Sequence, residues 1–144
     1  MIVMAIDLGD RRTGICFSDA TGLIAGRSFV IDEYSRDKLV ARLCNEIEKQ
    51  KPRRIVLGLP VNMDGSEGER AQLSRDFAAR LTAACGLDVV LWDERTTSVS
   101  ANRMLSDAGK KRGKQRARVD AVAAAIILQN YLDFLKIYGG PSPP

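Results

Sequence analysis

Short apolar runs separated by glycine-containing turns occupy the first part of the chain and predict three strands. The runs cover Ile2–Leu8, Gly14–Ser18 and Arg27–Ile31. Because consecutive strands joined by short turns pair antiparallel, this segment predicts a three-stranded meander.

The middle of the chain alternates between helical and strand patterns. Apolar residues at helical spacing predict a helix over Ser35–Gln50, which Pro52 closes. The continuous apolar run Arg54–Leu59 is typical of a buried parallel strand. A capping box formed by Ser66 and Glu69 then predicts the start of a second helix.

The second helix is expected to bury one stripe of its surface. That stripe consists of Leu73, Phe77 and Leu81, and Gly86 ends the helix. A further apolar run, Leu87–Trp92, predicts the last strand.

Two helices are expected after that strand, a short one over Thr97–Ser106 and a long one, apolar nearly all round, over Val119–Leu135. The order of elements predicts an α/β fold, in which a five-stranded mixed sheet is covered by helices. Three strands form the antiparallel meander and two are parallel, which matches the ribonuclease H-like architecture. A single domain is expected over residues 1–138, with residues 139–144 as a flexible tail.

The composition restricts the chemistry that the chain can perform. Its 144 residues include no histidine, which excludes Ser-His and Cys-His catalysis and imidazole metal ligands. The three cysteines, Cys16, Cys44 and Cys85, lack metal-site or disulfide spacing and are expected to be inert core residues. No apolar run approaches the roughly 20 residues of a membrane span, and no export signal precedes the first strand, so a cytoplasmic protein without a membrane partner is expected.

Positive charge is concentrated in one segment. The net charge is +4, and Lys110–Arg118 holds six of the 22 basic residues and no acid, so the remainder carries 16 − 18 = −2. A basic segment on a near-neutral body predicts a local anionic partner, namely nucleic acid. The residues expected to contact its phosphates are Arg11, Arg12, Lys110, Lys111, Arg112, Lys114, Arg116 and Arg118.

Three carboxylates stand where the predicted fold can bring them together. Asp7 ends the first strand, Glu94 follows the last strand, and Asp120 lies in the opening turn of the last helix. Oxygen-only ligands of this kind suit Mg²⁺ or Mn²⁺, so these three residues are the predicted metal ligands and catalytic residues. Asp93 and Arg95 are expected to support them without binding the metal.

Each acid also has a purely structural interpretation. Asp7 could cap the turn at Gly9, and Glu94 could form a surface ion pair with Arg95 or Arg103. Asp120 could stabilise a helix N-terminus whatever its role.

Four segments together resemble the YqgF family: AIDLGDRRTGICFSD, VLGLPVNMDGSEGERA, WDERTTSVSANRML and VDAVAAAIILQNYL. The resemblance implies a ribonuclease H-like, metal-dependent nuclease whose acidic positions fall on Asp7, Glu94 and Asp120. It further implies a bacterial cytoplasmic protein that acts in 5′-end maturation of the 16S ribosomal RNA precursor. Thr96 and Ser100 depart from the family's pattern, which has mostly leucine and an acid there.

Three alternatives remain open. The chain could resolve Holliday junctions in four-way DNA, which needs two sites on a two-fold axis, so both a monomer and a homodimer are considered. It could be a catalytically silent nucleic-acid-binding module, although unneutralised acids would repel phosphates. The spacing of Asp7, Gly9 and Gly14 also resembles the first phosphate loop of actin-like and sugar-kinase ATPases. This third alternative is disfavoured, because those proteins need a second such domain and no second phosphate loop is expected within the 144 residues.

Overall fold

The protein is described by a computed structural model that covers residues 1–95 and 116–139. Five strands and three helices make up this part of the chain. The strands are β1 (Val3–Asp7), β2 (Arg12–Ser18), β3 (Ala25–Asp32), β4 (Arg54–Leu59) and β5 (Val89–Asp93). The helices are α1 (Arg36–Gln50), α2 (Glu69–Cys85) and α3 (Arg116–Tyr138).

The strands form one mixed sheet in the order β3-β2-β1-β4-β5, as the sequence predicts. β1, β2 and β3 pair antiparallel, whereas β4 pairs parallel with both β1 and β5. Since β1, β4 and β5 run in the same direction, their carboxyl ends meet at one edge of the sheet. We call this edge the carboxyl edge.

The two faces of the sheet bury separate sets of side chains. Met4 and Ile6 of β1 face the layer that contains α1 and α2, whereas Val3 and Ala5 face α3. On the α3 side, the ring of Trp92 packs edge-on against Tyr131, with 5.5 Å between ring centroids.

The apolar residues of α3 pack against this face of the sheet. Its segment Ala121–Tyr138 has the length and hydropathy of a candidate membrane span. In the fold, however, Ala124, Leu128 and Tyr131 are completely buried against the sheet. The apolar residues of this helix therefore serve to pack it in the core of the fold.

The start of α2 differs from the prediction. Its N-cap is Gly68, which forms no side-chain cap, so the predicted capping box of Ser66 and Glu69 is wrong. Ser66 instead donates its hydroxyl to Asp64 at 2.5 Å, which removes it from the helix. Leu73, expected on the buried stripe, is 43% exposed, whereas Phe77 and Leu81 are buried as predicted.

Other differences concern element ends. β2 and β3 extend to the pair Arg12 and Asp32, because ladder hydrogen bonds continue through polar residues that end an apolar run. α3 is already helical at Arg116, before the predicted start at Val119. The predicted helix Thr97–Ser106 lies outside the described residues.

Cys16 agrees with the expectation of an inert core residue, whereas Cys44 and Cys85 are partly buried against the layer of α1 and α2. Cys16 is fully buried, and its removal from water raises the pKa of its thiol to about 12. Since the thiolate is the reactive form, Cys16 is poorly suited to act as a nucleophile.

The turn after Asp7 requires glycine at position 9. A Cβ placed there would overlap the carbonyl oxygen of Arg12, which is backbone and therefore cannot rotate away. We expect Gly9→Ala to lower the free energy of unfolding by about 1–3 kcal/mol in urea titrations. An unchanged free energy of unfolding in Gly9→Ala would contradict this account.

Candidate active site

Two of the predicted acids converge at the carboxyl edge. Asp7 ends β1, and Glu94 comes directly after β5. Side chains alternate along a strand, and Ala5 and Trp92 belong to the α3 layer. Asp7 and Glu94, each two positions further on, therefore lie on the α3 face of the sheet.

A glycine in the intervening strand makes room for the Glu94 carboxylate. Gly58 of β4 pairs with Trp92, and a Cβ at this position would overlap Glu94 Oε1 and lie 2.7 Å from Ile127 Cδ1. The missing side chain thus allows the carboxylate to lie directly over the sheet. Sequence reasoning missed Gly58, although a glycine inside a run of bulky residues is a recognisable signal of close approach.

Asp7 and Glu94 line a cavity of about 210 Å³ whose other wall is α3. Asn130 supplies a buried amide to this wall and was also missed by sequence reasoning. The remaining lining residues are apolar: Ala123, Ile126 and Ile127. The cavity therefore combines two acids and one amide with an apolar wall, which is an arrangement common in ligand sites.

The environment of Glu94 disfavours its ionised form. The pKa of this carboxyl group is raised to about 7, chiefly because neighbouring protein atoms remove water from it. The negative charges of Asp7 and Asp93 contribute to the rise, whereas the positive charge of Arg70 opposes it. Glu94 as a whole residue remains exposed, so its carboxyl group is packed on the protein side and open to solvent on the other. Such a pair of carboxylates favours a bound cation or a shared proton.

Asp93 and Arg95 form an ion pair outside the cavity. Asp93 lies on the face of the sheet opposite Glu94, and Arg95 Nη2 donates to its carboxylate at 2.7 Å. This hydrogen bond lowers the pKa of Asp93. Because Arg95 binds Asp93, the structural interpretation of Glu94 as a partner of Arg95 is not supported. Arg103, the other partner considered, lies outside the described residues.

Of the residues predicted to contact phosphates, Arg11 and Arg12 are those whose side chains the structure describes. Arg11 donates to Asp32 at 2.8 Å and its guanidinium lies over the ring of Tyr34, and Arg12 is the register partner of Asp32. Lys110, Lys111, Arg112 and Lys114 lie outside the described residues, as do the side chains of Arg116 and Arg118.

A further cation, Arg70, was missed by the sequence analysis. It stands in the first turn of α2, and its Nη1 lies 3.4 Å from a carboxylate oxygen of Asp10. Its charge also acts on Glu94. Nothing in the sequence distinguishes this arginine from the others on the same helix.

The position of Asp120 is known from the backbone alone. It lies in α3, three residues before Ala123 and seven before Ile127, and thus on the helical stripe that lines the cavity. Its side chain is outside the described residues, among which no group of three metal-ligating side chains occurs.

Comparisons with known proteins identify relatives over most of the chain. A family model described as "RuvX: Holliday junction resolvase" matches residues 1–134. A protein of Myxococcus xanthus (strain DK1622) named as a candidate pre-16S rRNA nuclease is 42% identical over 133 residues, which cover 92% of this chain and 88% of the relative. A protein of the same name from Halothermothrix orenii is 39% identical over 140 residues, covering 96% of this chain and all of the relative.

Solved structures agree on the fold. RuvC of T. thermophilus in complex with a Holliday junction substrate matches with a TM-score of 0.66, 12% identity and coverage of 100% of this chain and 99% of that chain. The fowlpox virus resolvase with its Holliday junction DNA matches with a TM-score of 0.59, 12% identity and coverage of 94% and 99%. At such identities the likeness concerns the fold alone, which is ribonuclease H-like.

The raised pKa of Glu94 predicts a pH-dependent loss of stability. Between pH 4.5 and about 7 the folded protein binds more protons at this residue than the unfolded chain does, so the contribution of Glu94 to stability falls as pH rises through this range. Because glutamine cannot ionise, Glu94→Gln should gain free energy of unfolding relative to the wild type across that range and hold the gain above it. Urea unfolding at constant ionic strength with EDTA measures the difference.

Asp7→Asn is the companion variant for this measurement. It removes a negative charge that raises the pKa of Glu94, so the pH range of the loss should move to lower values. A difference between the wild type and Glu94→Gln that stays constant with pH would contradict the prediction.

Proposed function

This chain belongs to the RuvX family, and we propose that it is a cytoplasmic nuclease that hydrolyses phosphodiester bonds during 5′-end maturation of the 16S ribosomal RNA precursor. The observation that carries the proposal is the convergence of Asp7 and Glu94 over Gly58 at the carboxyl edge. Relatives at 39–42% identity named as candidate pre-16S rRNA nucleases support this substrate.

Holliday junction resolution is the second candidate. The description of the family model favours it. The resolvase structures are only 12% identical to this chain, so they support the fold but say nothing about the substrate. The ribosomal RNA precursor is therefore placed first.

The site fits a divalent cation by the chemistry of its donors. Asp7 and Glu94 present hard oxygen ligands to one cavity, and the position of Asp120 on the same stripe of α3 makes it the third proposed ligand. When bound there, Mg²⁺ or Mn²⁺ would activate water and stabilise the charge that develops on the phosphate.

The protein's own residues would act around that cation. Glu94 exchanges a proton near neutral pH, so occupation of the site by a cation would release this proton. Arg70, together with the basic segment Lys110–Arg118, would hold the phosphates of the strand against the carboxyl edge. The apolar residues of α3 would limit the access of water on the opposite side of the cavity.

Replacing Asp7 tests the cation site. Asp7→Asn should reduce the hydrolysis of precursor 16S ribosomal RNA by several orders of magnitude while the fold survives. Mn²⁺ should raise the Tm of the wild type by mass action and raise the Tm of Asp7→Asn and Asp120→Asn much less. Asp76→Asn, an exposed acid on α2, is the control and should respond to Mn²⁺ as the wild type does. Equal Tm shifts in all four proteins would refute the site.

The same enzymes incubated with four-way DNA junctions separate the two substrates. Cleavage of the junction and none of the RNA precursor would overturn the first choice in favour of the second. Failure to cleave either nucleic acid with Mg²⁺ or Mn²⁺ would refute both.

Arg70 provides a second test, directed at phosphate binding. Its exposed ion pair with Asp10 contributes only about 0–1 kcal/mol, so Arg70→Ala should leave the free energy of unfolding nearly unchanged. The variant should bind single-stranded RNA more weakly, and the slope of log K against log salt should fall by about 0.7 for the lost phosphate contact. Arg75→Ala is the matched control on α2, because Glu67 holds that guanidinium through two hydrogen bonds of 2.7 Å. Identical salt slopes in the two variants would exclude Arg70 from the interface.

A further inference from the structure

The loop that follows β4 presents a methionine to solvent. Met63 is 91% exposed, more than any other large apolar residue in the described part of the chain. Single exposed apolar residues are ordinary on protein surfaces, so exposure alone would carry no conclusion. The support beneath Met63 and its position in the fold distinguish it.

The backbone around Met63 is held by hydrogen bonds on both sides. Asn62 donates its N–H to Ser66 at 2.9 Å, and Gly65 donates its N–H back to Asn62 at 2.9 Å. Gly65 adopts φ of 89°, a conformation that favours glycine. The Asp64 carboxylate accepts the N–H of Ser66 at 2.9 Å. Met63 therefore projects from an ordered turn.

The turn is also attached to the candidate active site. Arg95 Nη1 lies 3.5 Å from the carbonyl oxygens of both Asn62 and Met63, and the same guanidinium binds Asp93. Since Glu94 lies between Asp93 and Arg95, one side chain connects the backbone of Met63 to the strand end that carries the site carboxylate. The loop itself begins where β4 ends, at the carboxyl edge.

We propose that Met63 packs against a nucleobase of the bound strand next to the reacting phosphate and separates that base from its neighbour. The proposal rests on the function proposed above and adds a base-contacting residue to it. A thioether is polarisable and makes favourable contacts with aromatic rings, and apolar side chains, methionine included, are known to insert between stacked bases.

Two partly exposed arginines at this edge favour this occupant over another protein surface. Arg95 pairs with Asp93 and Arg70 with Asp10, and the phosphates of a strand would compete with these exposed partners and bring bases within reach of an apolar side chain. Because every base has an aromatic face, this contact would not depend on sequence. The ordered turn also reduces the entropy lost on binding.

Fluorescence of 2-aminopurine tests the contact directly. The probe is a single-stranded RNA that carries 2-aminopurine at successive positions, bound in Ca²⁺ to allow binding without turnover. Wild-type protein should increase the fluorescence at one or two positions as the base leaves the stack. Met63→Ala should lose most of that increase and bind about 5-fold or more weakly, whereas Met63→Phe should retain both.

Ile24→Ala is the matched control. Ile24 is 62% exposed and lies in the turn between β2 and β3, at the edge of the sheet opposite the carboxyl edge. This variant should behave as the wild type in both measurements. Equal fluorescence and affinity in Met63→Ala and the wild type would overturn the proposal.

Two further outcomes would also overturn it, and they are distinguishable. If wild-type protein cleaves RNA but Met63→Ala alters only its sedimentation, Met63 is a contact between copies of the chain. If wild-type protein neither binds nor cleaves any of the RNA probes, the proposed function fails together with the base contact.

Discussion

The approach of two like charges at one edge of the sheet is the constraint on which the rest of the site depends. Parallel pairing of β1, β4 and β5 brings Asp7 and Glu94 together, and α3 covers them with apolar side chains. In this environment the ionised pair is costly, and the pKa of Glu94 rises accordingly. The proposed cation would remove this cost. The absence of a side chain at Gly58 is the steric condition for this arrangement.

Much of the fold could be predicted because it is encoded locally. Buried strands appear as apolar runs, glycine marks the turns between them, and the order of helices and strands leaves few topologies. The ends of the strands and helices were harder to predict from the sequence. The pairing of Arg12 with Asp32, for example, depends on hydrogen bonds between strands and not on hydrophobicity. The prediction of a capping box was wrong for a related reason. Ser66 had a competing partner, Asp64, only two residues away.

The candidate site likewise contains residues that could be predicted from the sequence and residues that could not. Asp7 and Glu94 were predictable because acids that end parallel strands must share an edge. Arg70 and Asn130 were not, because their places at the site follow from how α2 and α3 pack on the sheet. A single arginine in the first turn of a helix has the same local sequence signature whether or not it faces an acidic cluster. Such residues emerge only when tertiary contacts are known.

The adjacent acids Asp93 and Glu94 illustrate how one strand end supports structure and chemistry at once. Successive residues point to opposite faces, so Asp93 turns away from the cavity and is held ionised by Arg95, which lowers its pKa. That ion pair anchors the loop of Met63 through the same guanidinium. The charge of Asp93 raises the pKa of Glu94, whereas the charge of Arg70 lowers it. With a pKa of about 7, Glu94 would readily give up its proton when the proposed cation binds.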